Sequence, residues 1–149
     1  MTKTDILAIS CIATSLTIFS IIDIRRRSIN IAAIIVFLAL MVVLAILGPN
    51  DVKRILLGII PGAVTVLLAI ASRGKVGIGD GIILSGIGLW CGLQETLSIY
   101  FVSLLICSAV GVFMMIGKKA SIKTELPFLP FLLVGYLACT VSKGLLKIV

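Results

Sequence analysis

Six runs of apolar residues, separated by short polar or turn-forming stretches, set the pattern of this chain. The runs cover residues 6–22, 31–47, 55–71, 82–93, 96–116 and 127–141. A helix that spans a bilayer needs about 20 residues, with about 17 as the lower limit. The first three runs and the fifth meet or approach this length, the sixth can be extended toward the C-terminus, and the fourth is short. The pattern predicts an all-α, polytopic membrane protein with six transmembrane helices.

The breaks between runs have the chemistry of turns. Residues 48–51 read Gly-Pro-Asn-Asp, a turn sequence between the second and third runs. Gln94 and Glu95 interrupt a stretch, residues 82–116, that would be too long for one crossing. We therefore expect a tight reversal at Gln94-Glu95, between the fourth and fifth helices.

Composition supports a membrane location. The chain has 149 residues, 60% of them apolar, and a mean hydropathy of +1.31. One soluble core of this size could not bury so much apolar surface, whereas lipid can cover it. We expect a single transmembrane domain over residues 1–149. Arg25-Arg26-Arg27 follows the first run where a signal-peptide cleavage site would stand, which favours a retained first helix.

The net charge of +7 indicates lipid rather than nucleic acid as the partner. The basic residues occur in short clusters between apolar runs, with no basic stripe interleaved with aromatics. Eight of the basic residues lie in the loops that follow odd-numbered helices, on one side of the membrane, and five lie on the opposite side. By the positive-inside rule, this bias predicts a multi-pass protein of the cell membrane, with both termini outside.

Two acids, Asp23 and Asp80, stand at the edges of predicted helices. Two predicted transmembrane helices, the second and the third, lie between them. An even number of membrane crossings returns the chain to the same side of the membrane, so both acids are expected at the cytoplasmic boundary. Each has a simple structural interpretation. Asp23 could be an interfacial residue neutralised by Arg25 to Arg27, and Asp80 could be the N-cap of the fourth helix.

Taken together, the two acids suggest catalysis. Two close carboxylates share one proton, so the ionised member can take a proton from water while the other polarises a carbonyl group. Gly77 and Gly79, next to Asp80, fit a loop that admits an extended substrate at close range. The chain has no His, and its four Cys form no CxxC pair. We therefore expect no metal and no cofactor, and a Ser or Cys nucleophile would lack its usual base.

Three stretches resemble a known family. Gly77-Ile78-Gly79-Asp80 resembles the GxGD motif of intramembrane aspartic proteases, and its position at the fourth of six helices is similar to that in type IV prepilin peptidases. Residues 23–30, Asp-Ile-Arg-Arg-Arg-Ser-Ile-Asn, resemble the first-aspartate motif of that family. Residues 126–132, Leu-Pro-Phe-Leu-Pro-Phe-Leu, resemble its entry into the last helix.

The resemblance implies an aspartic endopeptidase with Asp23 and Asp80 as the catalytic pair. Its substrate would be a type IV pilin-like precursor, in which a short basic leader precedes a long apolar helix. Cleavage would occur at the cytoplasmic membrane face. Larger relatives carry an insert with paired CxxC motifs and methylate the product. This chain has no such insert, so it resembles the compact, peptidase-only form.

Two functions of other classes remain as alternatives. In a small transporter or channel-like protein, the aspartates would bind protons or cations along a path. Acids near the middle of the bilayer would indicate that function, whereas Asp23 and Asp80 are expected at one edge. In a non-catalytic subunit of a pilus or secretion machine, Asp80 would only cap a helix.

Overall fold

The structure is a computed structural model that describes residues 3–26, 30–48, 51–72, 77–116 and 127–146. These residues form six α-helices, in agreement with the prediction. They are α1 (Lys3–Arg26), α2 (Ile31–Leu47), α3 (Val52–Ala71), α4 (Ile78–Cys91), α5 (Leu93–Ile116) and α6 (Leu129–Leu146). The loop residues Arg27, Arg73, Lys75, Lys118, Lys119, Lys123 and Lys147, on which the predicted orientation partly rests, lie outside the described residues.

The helices have the lengths and exposed surfaces of a membrane protein. Three are long and apolar enough to cross a bilayer, over Thr4–Arg25, Val52–Ala71 and Leu93–Ile116, and three shorter ones are also apolar. Large apolar side chains such as Phe113 and Ile116 are more than three-quarters exposed. Only lipid makes a surface of this kind stable, because in water it would drive aggregation.

Several predicted boundaries were wrong by a few residues. Helix α1 continues to Arg26, so Asp23 lies in its last turn rather than at its end. The reversal between α4 and α5 is at Gly92, with φ 79°, and not at Gln94-Glu95, which lie in the first turn of α5. Glycine enters this left-handed conformation without steric cost, so it ends α4 more readily than the polar pair would.

Helix α4 is the most enclosed of the six. It packs against α2, α3 and α5, while α1 packs against α2 and α6, and α5 against α3 and α6. At about 1.5 Å per residue, the 14 residues of α4 span about 21 Å, less than the hydrocarbon thickness of about 30 Å. Because other helices rather than lipid surround much of α4, its length need not match the bilayer.

Glycines bring the backbones of α3 and α4 into direct contact. Gly58 on α3 faces Gly88 on α4, and a Cβ on either would overlap the carbonyl oxygen of the other. Near the start of α4, a Cβ on Gly81 would lie 2.8 Å from the backbone nitrogen of Val66. Membrane helices associate through close packing of this kind, since lipid provides no hydrophobic drive between them. The contact at Gly81 holds the backbone next to Asp80.

The helices alternate in direction, which gives the bundle two distinct ends. The acid end contains the last turn of α1 and the first turns of α4 and α6, where Leu129 contacts Asp23. The opposite end contains the first turns of α3 and α5 and the last turns of α4 and α6. There Arg54 bonds to the Cys91 carbonyl, and Glu95 contacts both Arg54 and Lys143.

Candidate active site

Asp80 lies in the first turn of α4, with its side chain folded back toward Gly77. Gly77 is the N-cap residue, and no side chain caps the helix. The prediction that Asp80 could be the N-cap was therefore wrong. A Cβ on Gly77 would lie 2.7 Å from Oδ2 of Asp80 and 3.1 Å from its Cγ. The missing side chain of Gly77 thus provides the space that the half-buried carboxylate occupies.

The two glycines of the GxGD motif have different surroundings. Gly79 lies inside the first turn of α4 and not in a loop, so the prediction of a loop containing both glycines was wrong for Gly79. A Cβ on Gly79 would meet only Cδ1 of Ile34, at 3.4 Å, which is an ordinary contact. Gly77 immediately precedes the helix, and residues 73–76 lie outside the described part. Of the two glycines, Gly77 is the one that lies next to the Asp80 carboxylate.

Asp23 is half-buried in the last turn of α1 and accepts a hydrogen bond from the start of α6. The backbone N–H of Leu129 donates to Oδ2 of Asp23, with an N–O distance of 3.4 Å. This is longer than the usual distance of about 2.9 Å. Leu129 is the first residue of α6, where an N–H group has no partner within its own helix. Such a free donor is suited to binding a carboxylate.

Sequence reasoning identified the stretch that contains Leu129 but not its contact with Asp23. Pro127 and Pro130 flank this position, and neither has an N–H group. Two prolines at a predicted helix start are a signal that the N–H groups between them are free for other partners. That signal marks a donor site, but a sequence does not show which acceptor it binds.

In the structure, Asp23 and Asp80 both lie at the acid end, within electrostatic range of each other. The thiol of Cys107, on α5, is also within electrostatic range of Asp80. Among the described residues, Asp80 therefore has an ionisable neighbour on α1 and another on α5.

Neither aspartate forms an ion pair within the described part of the chain. By contrast, Glu95 at the opposite end pairs with both Arg54 and Lys143. The interpretation of Asp23 as a carboxylate neutralised by Arg25 is therefore wrong for that arginine. The side chain of Arg26, and Arg27 itself, lie outside the described residues. Two acids in this setting can share a proton and act on a bound water molecule.

The described residues form no metal site, and an open hollow lies away from the two acids. No three His, Cys, Asp or Glu side chains come together there as a possible metal site. An open hollow of about 530 Å³ lies at the opposite end and is lined by Asp51, Lys53, Arg54 and Glu95, among others. Its Arg54 and Glu95 are already paired with each other. This hollow does not include either of the predicted catalytic acids.

Comparison with known proteins gives one match. The sequence model of the type IV leader peptidase family matches residues 10–112. The matched stretch contains Asp23, Gly77, Gly79 and Asp80 and covers more than two thirds of the chain. Neither the curated proteins nor the solved structures include a match.

Proposed function

This chain belongs to the type IV leader peptidase family, and on that basis we propose that it is an aspartic endopeptidase with Asp23 and Asp80 as its catalytic pair. Family membership makes the chain a peptidase in general terms. The proposal adds the residues, the substrate and the membrane face. We propose that it removes the leader peptide of type IV pilin-like precursors at the cytoplasmic face of the cell membrane.

One observation carries the assignment of the catalytic pair. Asp23 and Asp80 are 57 positions apart in the chain, yet their charges interact in the fold, and no described base neutralises either one. Two carboxylates without a base among the described residues, at the border of an apolar bundle, are unfavourable for stability, which favours a functional role for them. Transport is less well supported, because neither acid lies near the middle of its helix.

The proposed reaction is hydrolysis of one peptide bond by a water molecule between the two acids. The ionised carboxylate takes a proton from water as the oxygen attacks the scissile carbonyl carbon. The protonated carboxyl donates a hydrogen bond to the carbonyl oxygen, where negative charge develops. Proton transfer to the leaving nitrogen then breaks the C–N bond, and the pair again holds one shared proton.

The surroundings of the acids suit a precursor with a basic leader and an apolar helix. The apolar helix can remain in lipid beside the bundle, while the leader reaches the membrane border. Unpaired negative charge at that border would attract the Lys and Arg residues of the leader. The excess of basic loop residues after odd-numbered helices supports the cytoplasmic location of the acid end.

The assignment is tested by substituting each acid and measuring cleavage. We expect Asp23→Asn and Asp80→Asn each to lower the cleavage rate by at least about 10²–10⁴-fold, because each removes one proton-transfer group. The substrate is a purified precursor with a short basic leader ending in Gly before an apolar helix. The measurement is the size shift of the product on a gel, with its new N-terminus read by mass spectrometry.

Asp51→Asn is the matched control, because Asp51 is an exposed acid at the opposite end. It should cleave at the wild-type rate. Normal cleavage by either Asp23→Asn or Asp80→Asn, in protein that still inserts into the membrane, would refute the catalytic pair. A wild-type enzyme that leaves this precursor intact would refute the substrate class.

Orientation is tested by cysteine labelling in a chain whose native cysteines have been replaced. Asn30 precedes α2 at the acid end and Asp51 precedes α3 at the opposite end, and both are exposed. We expect a membrane-impermeant maleimide to label Asp51→Cys in intact cells, and Asn30→Cys only after permeabilisation. The reverse result would place the acids on the outer face.

A further inference from the structure

Four serine and threonine side chains are buried in the described part of the bundle, and one of them differs from the others. They are Ser20, Thr65, Thr96 and Ser103. Thr65, Thr96 and Ser103 each donate to the backbone carbonyl four residues earlier, at 2.9, 2.7 and 2.6 Å. This local bond is the usual way for a buried hydroxyl in a helix to satisfy its hydrogen-bonding capacity.

The hydroxyl of Ser20 makes no hydrogen bond. It is only 5% exposed, and its oxygen is the one buried side-chain polar atom without a partner in the described residues. An unpaired polar group in an apolar interior is unfavourable, and native proteins contain few of them. The hydroxyl of Ser20 is therefore free to bond to another group.

Ser20 lies directly beside Asp23 on the buried face of α1. That face contains Ala8, Ile12, Leu16 and Phe19, and Ser20 and Asp23 continue it. Residues three apart in a helix are neighbours, with about 5–6 Å between their Cβ atoms. Helical side chains also lean toward the N-terminus of their helix, so the side chain of Asp23 leans over the turn that holds Ser20.

Asp23 has capacity for a second donor. The N–H of Leu129 binds Oδ2, and no described residue donates to Oδ1. An ionised carboxylate has lone pairs for several hydrogen bonds and gains most from donors in a water-poor setting. A rotation of the Ser20 hydroxyl is the smallest movement that could supply one.

We propose that Ser20 is a positioning residue that donates a hydrogen bond to the ionised carboxylate of Asp23 in the working enzyme. This inference rests on the proposed function, because it assigns Ser20 a role through Asp23. With Leu129 on one oxygen and Ser20 on the other, the carboxylate is held in one orientation toward Asp80. Ser20 itself contacts neither water nor substrate in this role.

The test is the pH dependence of cleavage by Ser20→Ala. Loss of the hydroxyl removes a bond that favours the charged carboxylate, so Asp23 becomes protonated more readily. We expect the acidic limb of kcat/KM to move to higher pH by about one unit, and kcat to fall about tenfold, with KM little changed. The precursor is the purified one described above.

The Ser20→Ala substitution leaves the other ionisable groups near Asp23 unchanged. Within the described residues they are Asp80 on α4 and Arg25 on α1, and the Cys107 thiol on α5 is within electrostatic range of Asp80. Helix α2 contains no ionisable residue, and the first two turns of α6 contain none. The variant Ser20→Ala leaves each of these groups in place.

Two further variants separate positioning from packing. Ser20→Thr keeps the hydroxyl and should restore the acidic limb to its wild-type position. Ser103→Ala removes a buried serine hydroxyl that already bonds to its own helix, so its profile should not move. If Ser20→Ala does not accumulate in the membrane, Ser20→Cys replaces it, and its weaker donor should give a smaller shift in the same direction.

Two results would overturn the role of Ser20 and leave the proposed function standing. One is a Ser20→Ala profile that matches the wild type. The other is a lower rate with no shift of the acidic limb, which would indicate packing alone. By contrast, cleavage by Asp23→Asn at the wild-type rate would refute the proposed function itself.

Discussion

The two ends of the bundle hold their acidic side chains in opposite ways. At the opposite end, Glu95 lies between two bases, with Oε1 at 3.6 Å from Nη2 of Arg54 and in contact with Nζ of Lys143. Arg54 also donates to the carbonyl oxygen of Cys91, at 3.1 Å. These contacts join α3, α4, α5 and α6. At the acid end, Asp23 and Asp80 pair with no base in the described part of the chain.

This difference separates an acid that helps to hold helices together from acids that do not. The bases near Glu95 are half exposed, so each ion pair is worth only about 0–1 kcal/mol. Even so, the pairs favour the folded bundle. Asp23 and Asp80, by contrast, repel each other when ionised and lose hydration on folding, and both effects disfavour the folded bundle. Proteins accept such a cost mainly where activity needs the strained arrangement.

Among variants that leave both acids in place, the largest effect at the acid end is expected at Gly77, because the position of the Asp80 side chain depends on it. In Gly77→Ala, the new Cβ would lie 2.7 Å from Oδ2, so the carboxylate must move. The φ of Gly77 is −69°, which alanine adopts easily, and the displaced atom ends a movable side chain. We expect stability close to wild type. Cleavage should fall about 10²-fold, the typical result of misplacing a catalytic group by about 1 Å.

Gly79→Ala is the matched control from the same motif. Its Cβ would make an ordinary contact with Ile34 at 3.4 Å and would not reach the carboxylate. Cleavage rates measured side by side should therefore separate the two alanine variants. Equal losses in both would mean that the motif acts through backbone freedom and not through the space beside Asp80.

Much of the fold followed from the apolar runs, because in lipid every crossing must be a helix and must have a minimum length. The counting of crossings also predicted that Asp23 and Asp80 lie at one end, and the structure has them within range of each other. Helix ends were harder to predict. The turn at Gly92 depends on the backbone conformation of one glycine, whereas the polar character of Gln94 and Glu95 indicated a loop two residues later.

The finer contacts of the acid end could not be predicted in this way. The bond from Leu129 to Asp23 joins residues 106 positions apart, and the space above Gly77 depends on the orientation of one side chain. The unpaired hydroxyl of Ser20 is recognised only by contrast with the three other buried Ser and Thr hydroxyls of the described bundle. Each of these depends on tertiary packing, which periodicity and composition do not report.

The smallest effect is a difference in stability between acids at the two ends. Asp80→Asn removes a carboxyl group that loses hydration on folding and is repelled by Asp23 when it ionises, so we expect the free energy of unfolding to rise by about 1 kcal/mol. Glu95→Gln removes the charge that binds Arg54 and Lys143, so it should lower that free energy by about 0.2–1 kcal/mol. Thermal unfolding in one detergent at neutral pH measures both.

The opposite signs are the informative result, because a general effect of amide substitution would move both variants in the same direction. Added salt provides a second check. It screens the exposed pairs of Glu95, so the loss in Glu95→Gln should shrink at high ionic strength, while the gain in Asp80→Asn, from a half-buried group, should change less. A loss of stability in Asp80→Asn would mean that its carboxylate has a stabilising partner, and the contrast between the two ends would then fail.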